Sequence, residues 1–333
     1  MRKLILYLII LIQIMFIIPI LFTKKFELKE TSAKTENNTE NQVIENNYDY
    51  KKYNTVKLLH TSTNEISEVP LDEYLYHVVS AEMPADFQIE ALKAQAVVAR
   101  TYTIYKITNN QKKHGEADIC DSASCCQAWI SKEDRLARWD EAIRESNWNR
   151  IQNVVNVTKG KIIIYEGKPI NAFFHSNSGG TTEVPINVWG GSGYPYLQVV
   201  ETAGEDEYSQ YNSEVNLTKE EFTNKIKEKH SELVIDFSKE DAIAIKEKTD
   251  SGRVKTLKVG NIEIAGVEAR TILGLRSTNF TFEIEERNIK FRVIGYGHGV
   301  GMSQTGADAL AKQGRNYEEI IKHFYVGVEI IDM

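Results

Sequence analysis

The residue whose setting most suggests chemistry is Glu82, in the string Ala81-Glu82-Met83-Pro84. Pro84 disfavours the α conformation for Met83, so a helix that starts near Leu71 must end at about Glu82. The partial negative charge at a helix carboxyl terminus disfavours ionisation, and burial in a cleft has the same effect. Both raise the pKa of the carboxyl group toward the range that a general acid needs near neutral pH. The alternative is a surface carboxylate at a helix end, the fate of most glutamates.

A histidine and two cysteines, His114, Cys120 and Cys126, follow one another at intervals of six residues and could wrap around one metal ion. Nitrogen and sulfur ligands in a tetrahedral arrangement are typical of zinc. Cys125 is adjacent to Cys126, and because neighbouring side chains usually diverge we expect only Cys126 of this pair to bind. That leaves a coordination position for water or for an unidentified side chain. In an oxidising compartment, a small-loop disulfide with one leftover thiol is the alternative.

The same loop contains half of the signature of zinc deaminases, since His114-Gly115-Glu116 reads H-x-E. The other half, P-C-x-x-C, is missing, because no proline precedes Cys120 or Cys125 and no two cysteines have that spacing. The sequence therefore does not favour a deaminase.

The elements that must position these residues are predicted from apolar periodicity and turn signals. Helices are predicted from Leu71 to about Glu82 and at 87–106, 131–147, 218–229, 306–312 and from Asn316 onward, with capping boxes at Thr218 and Asn316. Strands are predicted at 56–59, in a hairpin of 161–165 and 170–175 that turns at Gly167, and in the alternating stretch 254–291. This mixture predicts an α+β fold.

Arg100 lies at the edge of the apolar face of the predicted helix 87–106. A charge held in such a place usually needs a partner. A structural ion pair and a position facing a ligand are both consistent with this placement.

The amino terminus predicts a single-pass membrane anchor. Residues 4–22 carry no charge and, at about 1.5 Å per residue, can cross a hydrocarbon core of roughly 30 Å. A cleaved signal peptide is the alternative, but the apolar run is longer than usual and no small-x-small site follows it. We expect residues 1–3 in the cytoplasm and the rest exported. Residues 23–53 are rich in Glu, Lys, Asn and Thr, which predicts a flexible linker.

The remaining residues, 54–333, have a mixed apolar and charged composition that suits one large core or two smaller ones. The stretch from about 205 to 290 is a candidate for a smaller, inserted subdomain. The net charge of −7 argues against nucleic acid as a partner, since phosphate binding needs a basic face.

Several strings of this region together form one signature. They are Leu71–Leu75, Ala81–Ala85, Glu90–Tyr102, Cys126–Trp129, Phe174–Gly180, Trp189–Gly190, Tyr194–Leu197 and Gly297–Gly306. They are spread over nearly the whole of residues 54–333, so the combination is far more specific than any one string. Together they resemble the signature of the stage II sporulation protein D family.

The resemblance implies a lytic transglycosylase that is anchored in the mother-cell membrane and acts on septal peptidoglycan during engulfment in sporulation. The implied substrate is glycan already stripped of stem peptides by the amidase stage II sporulation protein P, and stage II sporulation protein M is a further implied partner. One carboxyl group would protonate the bond between N-acetylmuramic acid and N-acetylglucosamine and then deprotonate the C6 hydroxyl, which closes a 1,6-anhydro ring. No second carboxylate is strictly required.

The resemblance also implies roles for individual residues. Glu82 would be the catalytic acid, and Arg100 would position substrate or steady Glu82. His114, Cys120 and Cys126 match positions that hold one zinc ion in some clostridial members of the family. The weaker candidates for the sugar groove are polar or aromatic residues, all of them in the matching strings: Gln95, Tyr102, Gln127, Ser176, Tyr196, His298 and Gln304.

Two non-catalytic functions remain open at this point. The same domain family includes amidase enhancers, which bind the wall and stimulate a partner hydrolase, and the chain could also be a scaffold within the engulfment complex. Glu82 in its Glu-Met-Pro setting is the feature that separates an enzyme from a pure binding module.

Overall fold

The computed structural model describes residues 50–109, 113–191 and 194–333, in which helices and short strands alternate. The predicted α+β class is therefore confirmed. The predicted anchor, 4–22, lies outside the described residues, as does most of the predicted linker. Among the residues that are described, no helix is both long and apolar enough to cross a bilayer. Tyr53, which the sequence analysis assigned to the linker, ends a short 3-10 helix and is buried against the main core.

The helices of the first half surround one long, buried helix. They are α1 (Leu71–Glu82), α2 (Ile89–Thr108), α3 (Lys132–Arg138) and α4 (Arg144–Val157). As predicted, α1 ends at Glu82, where Met83 takes an extended conformation ahead of Pro84. The helix α2 is buried along most of its length and packs against α1 and α4.

The single helix predicted for 131–147 is wrong, because two helices lie there instead. The break falls at Trp139, which is extended, and Asp140, whose carboxylate accepts a hydrogen bond from the Ala142 N–H at 2.9 Å. Such a local bond between side chain and backbone competes with helix continuation. The second helix then runs to Val157, ten residues beyond the predicted end.

Short strands flank this helical core: β1 (Thr55–His60), β2 (Glu65–Pro70), β3 (Ile119–Cys120), β4 (Lys161–Tyr165), β5 (Lys168–Pro169) and β6 (Phe174–His175). The predicted hairpin turn is present, with Glu166 and Gly167 both at positive φ and Tyr165 paired with Lys168. The return strand, however, is only two residues long. The chain then leaves β4, and β6 pairs with a strand near the carboxyl terminus.

A second hydrophobic core forms among residues 222–293, separate from the main one. A short helix, α5 (Pro185–Trp189), precedes this region. The elements around the second core are β7 (Asn212–Thr218), α6 (Lys219–Lys227), β8 (Ile243–Lys248), β9 (Val254–Val259), β10 (Ile262–Ala265), α7 (Gly266–Leu273), β11 (Phe280–Ile284) and β12 (Asn288–Ile294). They build two antiparallel sheets, of strand order β10-β9-β8 and β11-β12-β7. The capping box predicted at Thr218 opens α6. Helix α7 was not predicted, since the whole of 254–291 reads as strand.

The carboxyl-terminal segment returns to the main core as β13 (Met302–Ser303), α8 (Gln304–Lys312), α9 (Tyr317–Phe324) and β14 (Glu329–Asp332). The capping box predicted at Asn316 opens α9. β13 pairs in parallel with β6, and β14 pairs with β4. Residues more than a hundred positions apart are thus paired in both of these sheets.

Candidate active site

Glu82 is held at the end of α1 by two hydrogen bonds from distant segments. The Ala128 N–H donates to Oε1 at 2.5 Å, and the Gln304 side-chain amide donates to Oε2 at 3.1 Å. Burial raises the pKa of the carboxyl group above its ordinary value, and the two hydrogen bonds oppose that shift because they favour the charged form. The net direction is upward, as a general acid requires.

Two cavities meet at Glu82. The larger, of about 510 Å³, lies between α1, β6 and the segment around His298, and the smaller, of about 420 Å³, lies between the end of α1 and the α3–α4 region. Ala81 and Glu82 line both. In the smaller cavity, the Arg135 guanidinium stacks on the Trp139 ring at 4.6 Å from its centroid. An extended ligand could therefore pass the carboxyl group with contacts on either side of it.

The structure brings several of the predicted groove residues together with Glu82. The members that line the larger cavity are Tyr102, Ser176, His298 and Gln304. Gln304 reaches Glu82 directly because it begins α8, immediately after β13 has paired with β6. The strings that carry these residues are far apart in the chain, and the β6–β13 pairing brings those of Ser176 and Gln304 together.

Arg100 does not face the cavities, so the expectation that it positions substrate is wrong. Its side chain is fully buried, and the guanidinium donates to the carbonyls of Val155 at 3.2 Å and Thr158 at 2.8 Å, at the end of α4. One nitrogen also lies 3.5 Å from the Asp72 carboxylate. Arg100 therefore satisfies the last carbonyls of a helix and ties it to α1, which is the structural alternative left open above.

Three further predicted groove residues are also structural. Gln95 is completely buried in α2 and lines neither cavity. The Gln127 amide donates to the Tyr74 hydroxyl and to Thr103, each at 2.9 Å, and so fixes the segment that leads to Ala128. The Tyr196 hydroxyl accepts the Asn171 N–H at 2.9 Å. Polar side chains in the matching strings thus divide between lining the site and supporting it.

Two histidines form one wall of the larger cavity. His175 and His298 have ring centroids 5.5 Å apart, and burial lowers the pKa of both, that of His175 to about 3. Both are therefore neutral at physiological pH. His175 Nδ1 bonds to the Val300 carbonyl at 3.1 Å, so it carries the proton, while His298 Nδ1 accepts the Val300 N–H at 3.0 Å. His175 Nε2 is then a lone-pair acceptor, and it has no hydrogen-bond partner among the described residues.

The sequence analysis did not single out three polar residues of this cavity, His175, Arg270 and Tyr296, although His175 lies within the matching string Phe174–Gly180. Arg270 projects from α7, the helix concealed by strand-like alternation. Tyr296 directly precedes Gly297, the first residue of a matching string, so its position beside that string was a usable signal. Nothing in the local sequence distinguishes Arg270 from the other arginines of the strand-rich region.

The cysteine loop brings together one more potential donor than predicted. Donor atoms of His114, Cys120, Cys125 and Cys126 all lie within 4.8 Å of one another. His114 Nε2 is 3.5 Å from Cys125 Sγ and 3.3 Å from Cys126 Sγ, and the two sulfurs are 3.9 Å apart. Sulfurs bound to one zinc at 2.3 Å in a tetrahedron would be about 3.8 Å apart, so these donors fit the ion. The expectation that Cys125 points away is wrong.

This cluster is coupled to Glu82 through three consecutive residues. Cys126 is followed by the buried Gln127 and then by Ala128, whose N–H donates to the Glu82 carboxylate. β3, which carries Cys120, also pairs with β1 in the main core. A cation held by the cluster would therefore fix the backbone that positions Glu82.

Comparison with known proteins relates the chain to one family. Residues 59–165 match the family model described as Stage II sporulation protein, and residues 196–301 match a domain of unknown function. The stage II sporulation protein D of Bacillus amyloliquefaciens is 34% identical over 278 residues, which cover 83% of this chain and 78% of that protein. That of Bacillus subtilis is 32% identical over the same shares. The chain belongs to the stage II sporulation protein D family.

In this member of the stage II sporulation protein D family, both matched regions contribute residues to the site. Glu82 and the cysteine cluster lie in the first, and Arg270, Tyr296 and His298 lie in the second. Family membership places the chain among sporulation proteins and is consistent with a cell-wall-active enzyme. An amidase enhancer of Bacillus subtilis is also similar, at 29% identity over 76% of this chain and 39% of that protein.

Proposed function

We propose that the chain is a lytic transglycosylase that cleaves the bond between N-acetylmuramic acid and N-acetylglucosamine in glycan strands free of stem peptides. The observation that supports this most directly is the setting of Glu82. It lies where two cavities meet, burial raises its pKa, and it is the one carboxylate among the described residues that line the larger cavity. A pair of facing carboxylates, as in ordinary retaining or inverting hydrolysis, would need a second one there.

Glu82 would perform both proton transfers. As an acid it donates its proton to the glycosidic oxygen while the bond from C1 to that oxygen breaks. As a carboxylate it then takes the proton of the C6 hydroxyl, and the C6 oxygen bonds to C1 to give the 1,6-anhydro end. The Ala128 N–H and the Gln304 amide stabilise the carboxylate between the two steps, because each donates to one of its oxygens.

We propose zinc for the cysteine cluster, held by His114, Cys120, Cys125 and Cys126. A site with four protein ligands is closed, so the ion would supply a cross-link rather than a position for a reacting water. Its contribution to the reaction would be indirect, through the backbone that ends in Ala128.

On the basis of family membership, we further propose that the chain acts in engulfment from the mother-cell membrane, with an amino-terminal anchor and an extracytoplasmic catalytic region. Stage II sporulation protein P would supply stripped glycan by removing stem peptides, and stage II sporulation protein M would be the other partner.

The test is digestion of peptide-free glycan strands by the protein and by its Glu82→Gln variant, with products identified by mass spectrometry. We expect anhydro-ended fragments from wild type and a rate at least about 100-fold lower from the variant, since general acid catalysis contributes about that much or more. Glu68→Gln, which removes an exposed carboxylate on β2 that lines neither cavity, is the matched control and should cleave normally.

Other outcomes have distinct meanings. Hydrated ends would indicate a hydrolase. No cleavage by folded, zinc-loaded protein would favour the binding function suggested by the name of the amidase enhancer. That second candidate predicts stimulation of an amidase by wild type and by Glu82→Gln alike.

A further inference from the structure

Arg270 carries a charge into the larger cavity without a partner. It is half-buried on α7, and its guanidinium makes no hydrogen bond or ion pair with any described residue. Arg100 and Arg253, which are fully buried, instead each bond to several backbone carbonyls. The guanidinium nitrogens of Arg270 remain open to the cavity, since none of them is among the buried polar atoms that lack a partner. A ligand in the cavity can therefore supply the acceptors that the protein does not.

The surroundings of Arg270 favour an anion. His175 and His298 are neutral, and Arg270 is among the charges that lower the pKa of each. The only described carboxylate lining this cavity is Glu82, and it forms no ion pair with Arg270. The part of the cavity around Arg270, hereafter the recess, is therefore positively charged and opens to the same cavity as the acid. A planar guanidinium is suited to a carboxylate, which it can bind through two parallel hydrogen bonds.

Two further features suit a ligand with both a carboxylate and sugar hydroxyls. The unpartnered, buried Nε2 of His175 can accept a hydrogen bond from a hydroxyl. The exposed Trp189 ring lies 4.9 Å from the His298 ring and extends the same wall with an apolar face.

The position of Arg270 is also rigid. A Cβ on Gly266, at the start of α7, would lie 1.8 Å from the Val254 carbonyl oxygen, so this helix is packed directly against β9. Gly274 ends the helix in a left-handed conformation. A side chain on such a short, fixed helix is well placed to recognise a group at a set distance from Glu82.

We propose that Arg270 binds the free lactyl carboxylate of an N-acetylmuramoyl residue and thereby selects glycan from which the stem peptide has been removed at that sugar. In peptide-bearing glycan the same group is an amide, which has no charge and carries additional bulk. The recess would thus reject unprocessed strands both electrostatically and sterically. This inference rests on the proposed function, since it takes the ligand to be a muramoyl glycan.

The test uses calorimetric binding to the full chain carrying Glu82→Gln, so that the ligand is not consumed. Two ligands are compared: peptide-free glycan fragments, and the same fragments with their lactyl carboxylates converted to primary amides. We expect amidation to weaken binding about 10- to 100-fold, the usual effect of losing a charged hydrogen bond. With Arg270→Gln added, the two ligands should bind equally, at the affinity of the amidated one. Arg270→Lys, which keeps the charge, should restore part of the difference.

Arg292→Gln is the matched control, because it removes an exposed arginine from the same strand-rich region and should retain the full effect of amidation. The proposal fails if amidation leaves the affinity unchanged, or if Arg270→Gln weakens both ligands by the same factor. Cleavage by wild type is measured in parallel. Carboxylate-dependent binding without cleavage would support the role of Arg270 and reject the transglycosylase.

Discussion

At the scale of single residues, Glu82 illustrates what local sequence can and cannot show. Its place at the end of a helix follows from Pro84 alone, and the structure agrees. Its hydrogen-bond partners do not follow, because Ala128 and Gln304 are 46 and 222 residues away. The pKa of the acid depends on these distant groups and on burial, so the sequence indicated the residue but not its protonation state.

The raised pKa of Glu82 predicts a pH-dependent stability difference. The folded protein binds this proton more tightly than the unfolded chain does, so the stabilisation is fully present below the unfolded pKa of about 4.3 and is lost as the pH rises through the folded pKa. Because a glutamine does not titrate, the Glu82→Gln variant does not lose this stability as the pH rises. We expect the variant to melt a few degrees higher than wild type at pH 7, with a smaller difference at pH 4.

Thermal unfolding followed by circular dichroism at the two pH values measures this effect. Glu68→Gln, the control of the cleavage assay, is measured alongside at both pH values. A Glu82→Gln difference that is the same at both pH values would mean that the carboxyl group titrates normally.

Arg100 shows the opposite limit of local reasoning. The spacing placed it correctly at a buried helix face, but its partners are carbonyls 55 and 58 residues further along the chain. A residue that supports a fold and one that binds a ligand look alike until those partners are known.

We expect Arg100→Met to lower the free energy of unfolding by about 3 kcal/mol, because it leaves buried carbonyls without donors. The rate of cleavage per folded molecule should stay near that of wild type. Denaturant unfolding and a low-temperature digestion measure the two quantities. Arg144→Met, which breaks an exposed ion pair with Glu141, should cost at most about 0.5 kcal/mol. Loss of cleavage by a fully folded Arg100→Met protein would mean that Arg100 has a role in the reaction itself.

At the scale of elements, periodicity located most helices but misread two places. The stretch 131–147 is apolar at helical spacing on both sides of Asp140, so the local break was hidden. Helix α7 is only eight residues long and lies between strands, and its residues were read as part of their alternation. Both errors concern elements that line the cavities, since α7 carries Arg270 and the α3–α4 segment carries Trp139.

The loop with the cysteine cluster gives a prediction at this scale. If all four donors bind, Cys125→Ser should weaken zinc binding at least about 10-fold, and Cys120→Ser should do the same. Competition with a chromophoric chelator measures the affinity. Ser124→Ala, one residue away, is the control and should bind zinc normally. Unchanged zinc affinity in Cys125→Ser would mean that only His114, Cys120 and Cys126 bind the ion, with the fourth coordination position open.

At the scale of the whole molecule, the cavity walls come from two hydrophobic cores. Glu82, Tyr102 and Gln304 belong to elements of the main core, whereas Arg270 belongs to an element of the second. The sequence suggested a second subdomain at about 205–290, but periodicity gave no means of placing it beside α1. That arrangement depends on the pairing of β6 with β13, which only the three-dimensional structure reveals.

The pairing of β14 with β4 joins two segments that are far apart in the chain. Ile330 lies opposite Ile163, and the Met333 N–H donates to the Gly160 carbonyl, so residues 329–333 complete a sheet that begins near residue 160. Gln304, the amide partner of Glu82, lies in the same returning segment. Removal of this segment would therefore both open the β4 sheet and leave the acid with one of its two hydrogen-bond donors.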